Sequence, residues 1–171
     1  MAKSKMSTGK IVLSVIAMLV GVAACIALFT NVWNFAITIG EKTSTEALGG
    51  YFEDYSFYAN GFKNAEVAFF EWASVVAGIA VIVALVGAVA YIIGTVVAIA
   101  NGGNKITAKL AKFGAIIMLI AGIVALITSI MFAAPAVTES IMSGSMAFGI
   151  GAWIGVIAPI AAGLLGVVST K

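Results

Sequence analysis

Tyr51, Tyr55, Tyr58 and Phe62 follow Gly49 and Gly50 at the spacing of one helix face. Phenol rings in such a stripe can stack and donate hydrogen bonds, and aromatic residues dominate protein contact surfaces. The stripe, with Trp33 upstream, therefore has two readings. In one, these aromatics pack on the end of a neighbouring bundle or sit in the headgroup belt of a bilayer. In the other, Trp33, Tyr51, Tyr55, Tyr58 and Phe62 make a contact surface for another chain. The surrounding connection is acidic, and Glu66 and Glu71 are placed to offset the dipole of a following helix rather than to hold a cation.

Little else in the chain has the makings of chemistry. There is no His to act as a base and a single thiol, Cys25. No phosphate-binding glycine loop and no metal-ligand spacing occurs, so no catalytic, cofactor-binding or metal-binding residue is identified and no cofactor is expected. Val22-Ala23-Ala24-Cys25 resembles the end of a lipoprotein signal. The residues that follow stay apolar, however, so Cys25 is expected as a small buried apolar residue.

The elements that carry these residues are set by hydropathy. Of 171 residues, 63% are hydrophobic and 9% charged, against about a quarter charged in soluble domains. Four long apolar stretches, at about 11–33, 70–100, 110–133 and 145–168, each reach the ~20 residues a membrane-spanning helix needs. In lipid a helix satisfies its own backbone, and the runs lack the alternation of barrel strands. The fold class expected is all-α: a single four-helix membrane domain with a structured outer loop at about 34–66. Within that loop Phe35–Ile39 has strand composition, and Gly40-Glu41-Lys42 can turn it back toward Ser44-Thr45 as a hairpin.

Charge distribution orients the spans. Lys3, Lys5 and Lys10 precede the first, Lys105, Lys109 and Lys112 lie between the second and third, and Lys171 follows the fourth; all seven acids fall in the other two connections. The positive-inside rule puts both termini and the middle connection in the cytoplasm. Lys105, Lys109 and Lys112 share one helix face, where each would gain about 1 kcal/mol from anionic lipid headgroups; the plainer reading is a topology signal. No charge lies deep in any span, which argues against an ion pathway or proton relay.

Small residues recur every seven positions: Ala73, Ala80, Gly87 and Gly94; Ala115, Gly122 and Ser129; Gly144, Gly151 and Ala158, with Gly151 and Gly155 forming G-x-x-x-G. Helices in lipid associate through such close-approach rows, within one chain or between chains. Pro159 in mid-span predicts a kink, as a shaped packing element or a hinge.

Four spans, both ends inside, a large first outer loop, a short second one and Trp33 just past the first span resemble the claudin and peripheral-myelin-protein type of tetraspan. The likeness is one of topology: Trp33 is the only position that carries over, and the loop cysteine pair of that family has no counterpart here. It implies lateral polymerisation in the membrane and adhesion through outer loops. Lysine without arginine suits a prokaryotic plasma membrane. The expected protein is thus non-enzymatic and multi-pass, with lipid, further copies of itself or another membrane protein as partners, and no nucleic acid. Self-association would run through the small-residue seams and the aromatic loop in a scaffolding or adhesive role. An oligomeric pore and an accessory subunit of a larger complex are the alternatives.

Overall fold

Each long apolar run forms a helix in the computed structural model, which describes residues 7–53, 71–101, 105–133, 136–139 and 142–170. Helix α1 (Thr8–Ala23) continues as a 3-10 segment, Ala24–Leu28. Strands β1 (Trp33–Ile39) and β2 (Lys42–Leu48) follow, then α2 (Glu71–Asn101) and α3 (Lys105–Ala133). Strands β3 (Ala136–Glu139) and β4 (Met142–Phe148) precede α4 (Ile150–Ser169). Among the described residues, four segments are long and apolar enough to cross a membrane: Thr8–Leu28, Trp72–Ala100, Lys105–Ala133 and Ile150–Ser169.

Helices α2 and α3 make the most extensive pair, α3 packs next on α4, and α1 packs chiefly on α4. Their interior is built from small residues, among them Ala17, Ala77, Ala84, Ala125, Ala152 and Ala162. The large apolar side chains, such as Leu19, Ile79, Val86, Ile127 and Ile157, point outward. Water-soluble bundles have the reverse distribution. Here close backbone approach holds the helices together, and the broad apolar exterior suits hydrocarbon.

The sheet corrects the all-α expectation. Its order is β2-β1-β4-β3, antiparallel throughout, so the first and second interhelical strand pairs meet through β1 and β4. Aromatic and β-branched residues alternating with smaller ones favour β1, and Gly40, at φ 59°, supplies the left-handed turn into β2. Strand β4, Met-Ser-Gly-Ser-Met-Ala-Phe, has no such local signal. Being uncharged, it runs on in the sequence into the fourth apolar stretch, whose helix begins at Ile150 rather than about 145. Gly144 accordingly lies in β4 and drops out of the row with Gly151 and Ala158. The first helical run ends at Leu28, short of the expected 33, because Trp33 belongs to β1.

Candidate functional site

Trp33 opens β1 opposite Leu48 on one side and Phe148 on the other, where the sheet meets the helix ends. It is 0% exposed. Its ring centroid lies 4.5 Å from that of Phe132 on α3, 5.9 Å from Phe148 and 6.0 Å from Tyr51, the last two edge-on. The indole Nε1–H donates to Ser74 Oγ on α2 at 2.9 Å, and Ser74 Oγ–H donates to the Tyr51 carbonyl at 2.9 Å. One side chain thereby ties β1, β4, α2, α3 and the connection after β2 together. Backbone bonds complete the joint: Val32 N–H donates to Gly49 O at 3.0 Å, Gly149 N–H to Val32 O at 2.7 Å and Gly151 N–H to Asn31 O at 2.9 Å.

Alternation gives the sheet two unlike faces. Trp33, Phe35 and Ile37 share one face with Leu48, Met146 and Phe148, and Trp33, Phe35, Leu48 and Met146 are buried. The opposite face of β2, β1 and β4 carries Thr43, Thr45, Ala47, Asn34, Ala36, Thr38, Ser143, Ser145 and Ala147 in register. No side chain there is larger than Asn, and the Thr38 and Thr43 hydroxyls share a 2.9 Å hydrogen bond. This face is a small-residue, hydroxyl-bearing platform. Its β2 edge is exposed and carries Lys42 and Glu46, charges of the kind that guard sheet edges against pairing.

Trp33 and Tyr51 face inward at 0% and 1% exposure, because the bundle end offers them aromatic and hydrogen-bonding partners. Of the stripe, only Tyr51 falls among the described residues, in a turn; Tyr55, Tyr58 and Phe62 lie outside them.

The seam residues all find neighbours within the chain. Ala73, Ala80, Ala115 and Ser129 are buried. A methyl group on Gly87 would lie 2.9 Å from Gly114 O, and one on Gly94 would lie 2.5 Å from Ala111 N, so this row abuts α3. On α3's other face, a methyl on Gly122 would meet Ile160 and Pro159 of α4, while Ala115 lies under Gly166. Gly151 abuts Thr30, and Gly155 abuts Tyr51, Val81 and Ala27. These rows thus bring helices of one chain into close contact.

At the other end of the bundle, the Tyr91 and Ser169 hydroxyls bond at 2.7 Å and link α2 to α4. Lys105, Lys109 and Lys112 are exposed on α3, at the end remote from the sheet. Cys25 is a free, half-buried thiol in the 3-10 segment. Among the described residues two buried side-chain hydroxyls, Tyr51 and Ser129, have no hydrogen-bond partner. Burial also raises the pKa of the Tyr51 phenol above its ordinary value, so the group stays protonated. Ser74 is one of the scattered hydroxyls of the second apolar run, and no local motif marks it. Phe132 and Phe148 carry no motif or spacing in the sequence that marks them.

These features define a class: a helical bundle of membrane-spanning dimensions, capped at one end by a four-stranded sheet drawn from two connections. No family model matches the chain, and no curated protein shows significant similarity to it in sequence.

Proposed function

We propose that this chain is a non-enzymatic integral membrane protein that holds a rigid sheet outside the membrane and uses the sheet for contacts between copies, laterally or across facing membranes. The observation that carries the reading is the joining of both strand pairs into one sheet pinned by buried Trp33. A platform of Thr, Ser and Ala side chains loses little side-chain entropy on docking, and its hydroxyls can pair with those of an identical face. The small-residue seams play no part in this association, since they are filled within each copy. A conduit through a single copy is disfavoured, because Trp33, Tyr51, Phe132, Met118 and Tyr91 occupy the interior.

In a Cys25→Ala background, Thr43→Cys and Thr45→Cys are expected to give disulfide-linked dimers in native membranes, while Val86→Cys on the lipid face of α2 gives none. Monomers throughout, with a detergent-extracted particle carrying one copy of the chain, would overturn the reading. A heteromeric particle would favour the accessory-subunit alternative.

Orientation follows from charge. With the sheet end outside, Lys105, Lys109 and Lys112 lie at the cytoplasmic surface of a prokaryotic plasma membrane, within reach of anionic headgroups. Glu46→Cys should react with an impermeant thiol reagent added to intact cells, and Lys109→Cys should not. Labelling at position 109 and protection at position 46 would invert the topology.

A further inference from the structure

Strand β2 is an outer strand of the sheet, and Lys42 to Ala47 are exposed along it. Ile39 and Lys42 flank the two-residue turn Gly40-Glu41, so they form the hydrogen-bonded pair that closes the hairpin. Alternation then directs the backbone groups of Lys42, Ser44 and Glu46 to β1 and those of Thr43, Thr45 and Ala47 outward. The 2.9 Å contact between the Thr38 and Thr43 hydroxyls agrees, since side chains come closest at a non-bonded pair. The β2 edge therefore presents a row of backbone donors and acceptors to which another strand can add.

Lys42 and Glu46 decide which strand that can be. Edge charges deter pairing with most strands, but these two have opposite sign and stand symmetrically about Ser44. We propose that β2 pairs antiparallel with β2 of a second copy, about a two-fold axis at Ser44, joining two sheets into one. Lys42 of each copy then stands opposite Glu46 of the other, and Ser44 opposite Ser44. Thr43 of each copy exchanges backbone bonds with Thr45 of the other, as the outward direction of those groups requires. Neighbouring two-fold registers lose the charge match. Centred on Thr45, Lys42 faces Leu48 and Glu46 faces Ser44; centred on Glu46 or on Lys42, like charges meet. The inference rests on the reading that the sheet joins copies and gives that contact a register and a number, since a two-fold edge pair closes on itself. The platform of Thr, Ser and Ala side chains is left uncovered and continues across both copies.

Cysteine crosslinking of the full chain in native membranes, in the Cys25→Ala background, tests this. Ser44→Cys sets two thiols across the axis, where the Cα atoms of a non-bonded pair stand about 4.5 Å apart, within disulfide reach, and a linked dimer is expected. Adding either Lys42→Glu or Glu46→Lys should slow the linking about tenfold, because two opposite-charge pairs become like-charge pairs. In membranes holding both of these variants, the mixed dimer, distinguished by tag length, should link at the parent rate, since each variant supplies the charge the other lacks. Charge variants that link as fast as the parent, or a mixed dimer as slow as either variant alone, would overturn the register. So would failure of Ser44→Cys to link while Thr43→Cys or Thr45→Cys still does, an outcome that leaves the sheet contact itself standing. Absence of all three links overturns both.

Discussion

Trp33→Ala should lower folding stability by about 3–5 kcal/mol, the usual cost of truncating a buried aromatic. The change removes ring contacts with Phe132, Phe148 and Tyr51 and also the indole donor to Ser74. Trp33→Phe keeps most of the ring packing and loses the N–H, and because Ser74 retains its bond to the Tyr51 carbonyl the loss should fall to about 1 kcal/mol. Ser74→Ala should cost about 1–3 kcal/mol, since it leaves a buried donor and a buried carbonyl without partners. Trp153, which is 52% exposed on α4, provides the control, and Trp153→Ala should have little effect in detergent. SDS titration ranks the four variants. Circular dichroism should find the helices intact in Trp33→Ala while limited proteolysis opens the residues around β1 and β2. Equal losses for Trp33→Ala and Trp153→Ala would mean that Trp33 does not hold the sheet to the bundle.

The second large effect lies at the α2–α3 crossing. A methyl group on Gly94 would stand 2.5 Å from Ala111 N, 2.8 Å from Thr107 O and 2.9 Å from Ala111 Cα. On Gly114 it would stand 2.5 Å from both Gly87 O and Tyr91 N. All of these are backbone atoms, which cannot rotate aside, so the helices must part. Dispersion falls steeply with separation, and in lipid no hydrophobic force between helices compensates. Gly94→Ala and Gly114→Ala should each destabilise by about 1–3 kcal/mol, and Gly87→Leu by at least as much. Val89→Leu, on the exposed face of α2, should be neutral. Gly9 meets nothing within 4 Å near the start of α1, so Gly9→Ala should stabilise by up to about 1 kcal/mol through helix propensity alone. A Gly94→Ala protein that melts with the parent would show that α2 and α3 do not approach as closely as described.

The aromatic residues show why site roles were harder to read than spans. Tyr51 began a helical stripe in the sequence, yet its side chain turns into the bundle beside Gly155. Periodicity reports which residues could share a face, not what that face meets. Ser74 was legible as a polar residue needing a partner, but that its partners are an indole 41 residues away and a carbonyl 23 residues away was not. Such pairings depend on where the helix ends come to rest.

By itself the sequence determined the number and order of the spans, because hydrocarbon thickness and backbone satisfaction act on each ~20-residue segment independently. It also determined the segregation of acids from the lysine-bearing connections and the β1–β2 hairpin, whose turn and alternation are local. Only the tertiary structure decided that Met142–Phe148 is a strand along its whole length, since beside the short β3 its backbone partners lie on β1, more than a hundred residues earlier. The tertiary structure also decided which helices of the chain the small-residue rows bring together. A glycine row states that something can approach closely; which helix does so is a matter of geometry between distant segments, and no local pattern encodes it.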